Sequence, residues 1–142
     1  MNNQTSNGKK LLFIDDDRLL LDMYTKKFVD AGFTVETRRD ANDHDETFAD
    51  AVFRIQPAML ITNLTMSGRD GLEAIELLRK DERIKHLPIV VLSNRGMPTD
   101  IAQAEKLNVQ GYIVKAATIP ADAVKEIVNI LNECENDFGT NV

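Results

Sequence analysis

The chain is poor in the residues that specialised classes of protein depend on. Its 142 residues contain one cysteine, two histidines, four prolines and no tryptophan. A lone thiol, Cys134, excludes an internal disulfide, and with no histidine or second cysteine nearby it reads as an ordinary helix residue. The two histidines are far apart, so zinc-type ligand spacing is missing; His86, before Leu87-Pro88, reads as a surface loop residue. No apolar run approaches the length of a membrane span, and no basic start leads into an apolar core as in a signal peptide, so the expected location is cytoplasmic with no membrane partner. Positive charge is also scarce. Seventeen Lys and Arg stand against 23 Asp and Glu, a formal charge of -6, which excludes the basic footprint of a general nucleic-acid binder. What remains is 43% hydrophobic residues in a chain of one-domain length, enough for a single core.

Hydrophobic patterning divides the chain into βα units. Met1 to Gly8 is polar without periodicity and is read as a disordered leader. Leu11-Leu12-Phe13-Ile14 is a continuous apolar run stopped by Asp15-Asp16-Asp17, the pattern of a parallel strand covered on both faces. Leu19, Leu20, Met23, Tyr24, Lys27 and Phe28 then recur at helical spacing up to Ala31-Gly32. Phe33 to Thr37 alternates as a strand, and Phe48, Val52, Phe53 and Ile55 mark a second helix ended by Gln56-Pro57. The acidic stretch Asp43-His44-Asp45-Glu46 before it reads as a solvated helix start, not a metal cluster. Met59 to Thr62 is the third strand. A loop follows, and Leu72, Ile75, Leu78 and Arg79 form the stripe of the third helix from Gly71. Leu87 to Leu92 is the fourth strand, followed by a weaker helix from about Thr99 to Leu107 opened by Thr99 or Pro98. Gly111 to Val114 is the fifth strand, and a final helix from about Pro120 to Cys134 presents Val124, Ile127, Val128 and Leu131. The segment 135–142 is polar and is read as a disordered tail. Five strands alternating with five helices predict a doubly wound α/β fold with a parallel sheet, occupying residues 9–134.

In such a sheet, ligands and chemistry gather outside the carboxyl ends of the strands. Those ends carry Asp15-Asp16, Asn63, Ser93 and Lys115. Paired carboxylates suit a hard divalent cation such as Mg²⁺, while a hydroxyl and an ammonium suit the oxygens of a phosphoryl group. A nucleophile is missing, because the amide of Asn63 cannot form an acyl phosphate. Asp16 or Asp17 could instead cap the next helix, and Tyr112 could be plain half-buried packing.

Four motifs in order, Leu11-Leu-Phe-Ile-Asp15-Asp16-Asp17, Leu60-Ile-Thr-Asn63-Leu-Thr-Met66-Ser67-Gly-Arg-Asp70-Gly71, Val90-Val-Leu-Ser93 and Gly111-Tyr112-Ile-Val-Lys115, resemble the receiver domain of two-component response regulators. The resemblance covers nearly all of residues 9–134 and implies a flavodoxin-like (βα)5 fold of strand order 2-1-3-4-5. It implies Mg²⁺ on Asp15, Asp16 and the backbone carbonyl of Thr65. Asn63 falls where the family has its phosphoacceptor aspartate, Ser93 and Tyr112 match its switch residues, and Lys115 matches the lysine that contacts the phosphoryl oxygen. By the same analogy the upstream partner is a histidine kinase or phosphotransfer protein. The face of the fourth helix, fifth strand and fifth helix would meet a protein partner.

Three departures from the family pattern shape the functional reading. Asn63 removes the phosphoacceptor and one negative charge, so phosphorylation should fail, Mg²⁺ should bind more weakly, and Lys115 is free to pair with Asp15 or Asp16. Ser67 replaces a usual proline and leaves its loop less constrained. Ala116 replaces a second proline, so the bond before it should be trans, a cis bond there costing roughly 2.5–4 kcal/mol. The sequence therefore describes a pseudo-receiver, a phosphorylation-independent interaction module and not an enzyme. Two alternatives compete. One is an ordinary phosphoaccepting receiver with an introduced Asp-to-Asn change at 63. The other is a haloacid-dehalogenase-like phosphatase using Asp15, against which stand Arg18, the lack of an acidic pair after Tyr112-Ile-Val, and the lack of room for a cap domain. No G-x-G-x-x-G or Walker-type loop follows any strand, which argues against a nucleotide cofactor.

Overall fold

The three longest apolar runs in the sequence become the three central strands of a five-stranded parallel sheet. A computed structural model describes residues 8–40, 46–66 and 70–140, with 136–140 described as backbone only. The strands are β1 (Lys10–Ile14), β2 (Thr34–Arg38), β3 (Met59–Thr62), β4 (Ile89–Ser93) and β5 (Gly111–Val114), in the order β2-β1-β3-β4-β5. Every residue of β3 and β4, and all of β1 after Lys10, is buried, whereas the edge strands β2 and β5 are only partly covered. That contrast matches composition: the central strands carry apolar side chains on both faces, while β2 carries Thr34, Glu36 and Arg38.

Alternation along each strand divides the core in two. Leu12, Ile14, Leu60 and Val91 pack with α2 (Phe48–Ile55), α3 (Gly71–Lys80) and Ala104 of α4 (Pro98–Lys106). Leu11, Phe13, Ile61 and Leu92 face the opposite way, against α1 (Arg18–Asp30) and α5 (Pro120–Thr140). Phe13 meets the ring edges of Tyr24 and Phe28 of α1 with centroids 5.8 and 6.3 Å apart, an arrangement that aromatic quadrupoles favour. The doubly wound α/β fold with order 2-1-3-4-5 is therefore present. No described helix is long and apolar enough to cross a membrane.

Several expectations from the sequence need correction. The buried stripe of α1 is Leu21, Tyr24 and Phe28, while Leu19 is 82% exposed and Met23 also faces solvent. In α2, Ala51 lies inside with Phe48, Val52 and Ile55, and Phe53 is outside beneath the Arg83 guanidinium, 4.5 Å from its ring centroid. Of the two openings expected for α4, Pro98 is the one found, and the helix has no side-chain cap. α5 does not end near Cys134 but continues to Thr140, so most of the expected tail is helical. Lys9, just before β1, pairs with Glu135 across this extension. Residues Met1 to Asn7, Asp43 to Asp45 and Ser67 lie outside the described residues, so the leader, most of the acidic stretch and the first proline departure fall there.

Candidate functional site

Three consecutive acids end β1 and separate into different environments. Asp17 leaves the strand direction and caps α1, its carboxylate accepting from the Leu20 N–H at 3.2 Å. Asp16 is exposed. Asp15 is completely buried; its Oδ1 accepts from the Asp17 N–H at 2.9 Å and its Oδ2 from the Lys115 ammonium at 2.5 Å. Lys115 reaches this point from the end of β5, at the start of a 3-10 turn (Lys115–Ala117), with 11% of its side chain exposed. Every described peptide bond is trans, as expected for the bond before Ala116. The strand ends at opposite sides of β3 and β4 are thus joined by a buried ion pair.

Asn63 follows β3 and is anchored by its own backbone, whose N–H donates to the Ile14 carbonyl at 3.0 Å. Its side chain, 6% exposed, closes a small ring: Nδ2 donates to the Thr65 carbonyl at 3.0 Å, and Oδ1 accepts from the Thr65 N–H at 3.4 Å. The buried Thr62 hydroxyl donates to the Asn63 carbonyl at 2.9 Å. Gly71, the first residue of α3, packs directly on this peptide. A Cβ there would stand 2.6 Å from Leu64 Cα and 2.7 Å from the Asn63 carbonyl oxygen, both backbone atoms. Gly71→Ala is therefore expected to cost about 2 kcal/mol, seen as a lower urea midpoint with an unchanged slope, because backbone must shift to admit one methyl group.

Ser93 ends β4, fully buried, and accepts from the Arg95 N–H at 3.1 Å. Tyr112 on β5 is half-buried and donates its hydroxyl to the Arg95 carbonyl. Burial, and secondarily the charge of Asp100, raises that phenol above its ordinary value. Arg95 was missed in the sequence, as was the part played by Asp70. Arg95 reaches Asp70 Oδ2 at 3.2 Å and Asp100 Oδ1 at 3.0 Å, while Asp70 also caps α3. Asp70-Gly71 before a helical stripe is a helix-start signal, but nothing in the sequence marks the arginine.

The structure thus gathers Asp15, Asn63, Ser93 and Lys115 at one end of the sheet, with Thr65 and Asp16 exposed at its mouth and Tyr112 beside it. As arranged, a divalent ion would have to compete with Lys115 and the Asn63 amide for the oxygens assigned to Mg²⁺. Both Asp15 oxygens and the Thr65 carbonyl are engaged, and only Asp16 is uncommitted. A hard cation requires several free oxygens at once, and the described residues contain no group of three metal-binding side chains.

A family model described as the response regulator receiver domain matches residues 11–129. The chain is 30% identical over 128 residues to the chemotaxis protein CheY of Pseudomonas aeruginosa, an alignment spanning 89% of this chain and 98% of that protein. It is 28% identical over 109 residues to chemotaxis protein CheY-3 of Vibrio cholerae, spanning 77% and 82%. Among solved structures, a CheY-like response regulator receiver domain protein from Methanospirillum hungatei superimposes with a TM-score of 0.79 at 18% identity, over 92% of this chain and 98% of that one. The chemotaxis response regulator CheY4 of Vibrio cholerae does so with 0.74 at 22% identity, over 87% and 98%. These two structures speak for the fold alone.

Proposed function

The chain belongs to the response regulator receiver domain family, and from that premise we propose that it is a receiver without a phosphoacceptor, acting as a phosphorylation-independent protein-interaction module. The observation that carries this reading is the Asn63 amide donating to the Thr65 carbonyl at 3.0 Å. An ionised carboxylate at position 63 could only accept, so it would repel that carbonyl and need a cation between them. The amide makes the cation unnecessary. Lys115 does the same for Asp15, offsetting its buried charge from within the chain. Mg²⁺ is accordingly a weak ligand at best, and Ser93, Tyr112 and Lys115 are residues of the family's switch held in one arrangement. The phosphatase alternative loses support, since the family model that matches residues 11–129 is that of the receiver domain. The module works in the cytoplasm without turnover of its own. It uses the α4, β5 and α5 face toward a protein partner, and a histidine kinase or phosphotransfer protein engages it without transferring a phosphoryl group.

The test is intact mass after incubation with Mg²⁺ and acetyl phosphate, for this chain and for Asn63→Asp. In the variant a carboxylate oxygen attacks phosphorus, acetate leaves, and an acyl phosphate forms. A phosphoryl gain by the variant alone is expected. Gain by the unaltered chain would overturn the reading, and gain by neither would remove position 63 as the acceptor site.

A further inference from the structure

Arg95 is held from three sides, through its main chain by the paired strands β4 and β5 and through its side chain by α3 and α4. Its main chain is hooked twice, the N–H to the Ser93 hydroxyl at 3.1 Å and the carbonyl to the Tyr112 hydroxyl. Its guanidinium spans the head of α3 at Asp70 and the first turn of α4 at Asp100. Each of those carboxylates lies at a positive helix end, which stabilises it. They also repel each other, and the guanidinium between them offsets this. The hydrogen bond that Arg95 donates to Asp100, and then the one it donates to Asp70, raises its pKa above the ordinary value. The neighbouring Gly96 lies so close to β5 that a Cβ would meet Val114 Cγ2 at 2.8 Å. The β4–α4 loop is therefore fixed along its length. A groove of about 390 Å³ between α3 and α4, with Leu72 and Leu107 among its lining, opens beside this arginine.

We propose that Arg95 is a positioning residue, an ionic latch that ties α4 to the head of α3 and so sets the α4–β5 surface independently of residue 63. The inference rests on the reading of the chain as a phosphorylation-independent receiver and supplies its structural lock. The α3 end of the latch is closely packed, because Gly71 seats α3 on the Asn63–Leu64 peptide. The α4 end has no comparable anchor: α4 begins at Pro98 with no side-chain cap, and Ala104 is its one buried residue. Releasing the latch should free α4 while leaving the sheet intact. Exposed ion pairs contribute little to global stability, so the effect belongs to local opening and not to unfolding.

Hydrogen exchange on the full chain tests this, comparing the native protein with Arg95→Gln and Asp100→Asn. Exchange of the hydrogen-bonded α4 amides 101–106 should accelerate roughly tenfold in Arg95→Gln and less in Asp100→Asn, with α2 unchanged as the internal control. In the native chain the same amides should exchange faster as salt rises, since part-exposed pairs are screened. Exchange within twofold of native in Arg95→Gln would overturn the latch. A second arm places Arg95→Gln in the Asn63→Asp background and records amide spectra with acetyl phosphate and Mg²⁺. Signals of Tyr112 and α4 should move on phosphorylation only when the latch is removed. Equal movement with Arg95 in place would also overturn it. If Asn63→Asp takes up no phosphoryl group, the assignment of position 63 fails, and the exchange comparison still decides the latch.

Discussion

Lys115→Met is expected to lower stability by about 3–4 kcal/mol, measured by urea unfolding, although it removes only one ion pair. Most surface pairs contribute less than about 1 kcal/mol, because water competes for both ions. This pair is different: Asp15 is wholly buried and the lysine side chain is only 11% exposed. Without the ammonium, the Asp15 carboxylate keeps one hydrogen bond, from the Asp17 N–H, and most of its desolvation cost is left uncompensated. Asp15→Asn combined with Lys115→Met should recover a large part of the loss, giving a coupling of about 2 kcal/mol in a double-mutant cycle. Mg²⁺ provides the second readout. It should raise the melting temperature of Lys115→Met, where Asp15 is open to a cation, and change that of the native chain little. A loss below about 1 kcal/mol, or the same response to Mg²⁺ in both chains, would mean that water already solvates Asp15.

That pairing was within reach of the sequence, but the role of the amide was not. Acids at the end of one strand and a lysine at the end of another can be brought together by topology alone, because parallel strands deliver their carboxyl ends to one edge. The ring between Asn63 and Thr65 depends on a local turn that periodicity does not encode. The same distinction explains α1. Leu19, Leu20 and Leu21 offer three starting points for a stripe, and only Leu21 is followed at i+3 and i+7 by the aromatic rings of Tyr24 and Phe28. The polar end of α5 misled in the opposite direction. Polarity after Cys134 suggested a tail, yet no proline interrupts the helix, and Lys9 draws Glu135 back toward the start of β1. Arg95 left no trace because its acids lie 25 and 5 residues away, on separate helices.

Arg79 did leave a trace, as an arginine on the apolar stripe of α3, and replacing it should have the other large effect. Arg79→Met is expected to cost about 2 kcal/mol, because three part-buried carbonyls lose their donor at about 0.5–1 kcal/mol each, while the fourth, on exposed Asn108, can turn to water. The guanidinium donates to the carbonyls of Leu107 at 2.7 Å, Lys85 at 3.0 Å, Leu87 at 2.6 Å and Asn108 at 3.0 Å. Two of these follow the last turn of α4, where orphan carbonyls and the negative end of the helix favour a cation. The other two belong to the loop entering β4, so a single side chain fixes the connections into β4 and β5 at the amino end of the sheet. Burial lowers its pKa, yet arginine keeps its proton, and carbonyl dipoles take the place of a carboxylate partner. Arg79→Lys separates charge from shape. An ammonium retains the charge but cannot span four acceptors as a planar fork does, so Arg79→Lys should show about half the loss of Arg79→Met. Full stability in Arg79→Lys would assign the effect to charge alone. Because this cluster lies at the opposite end of the sheet from Asn63, phosphoryl uptake by Asn63→Asp should be the same with either residue at position 79.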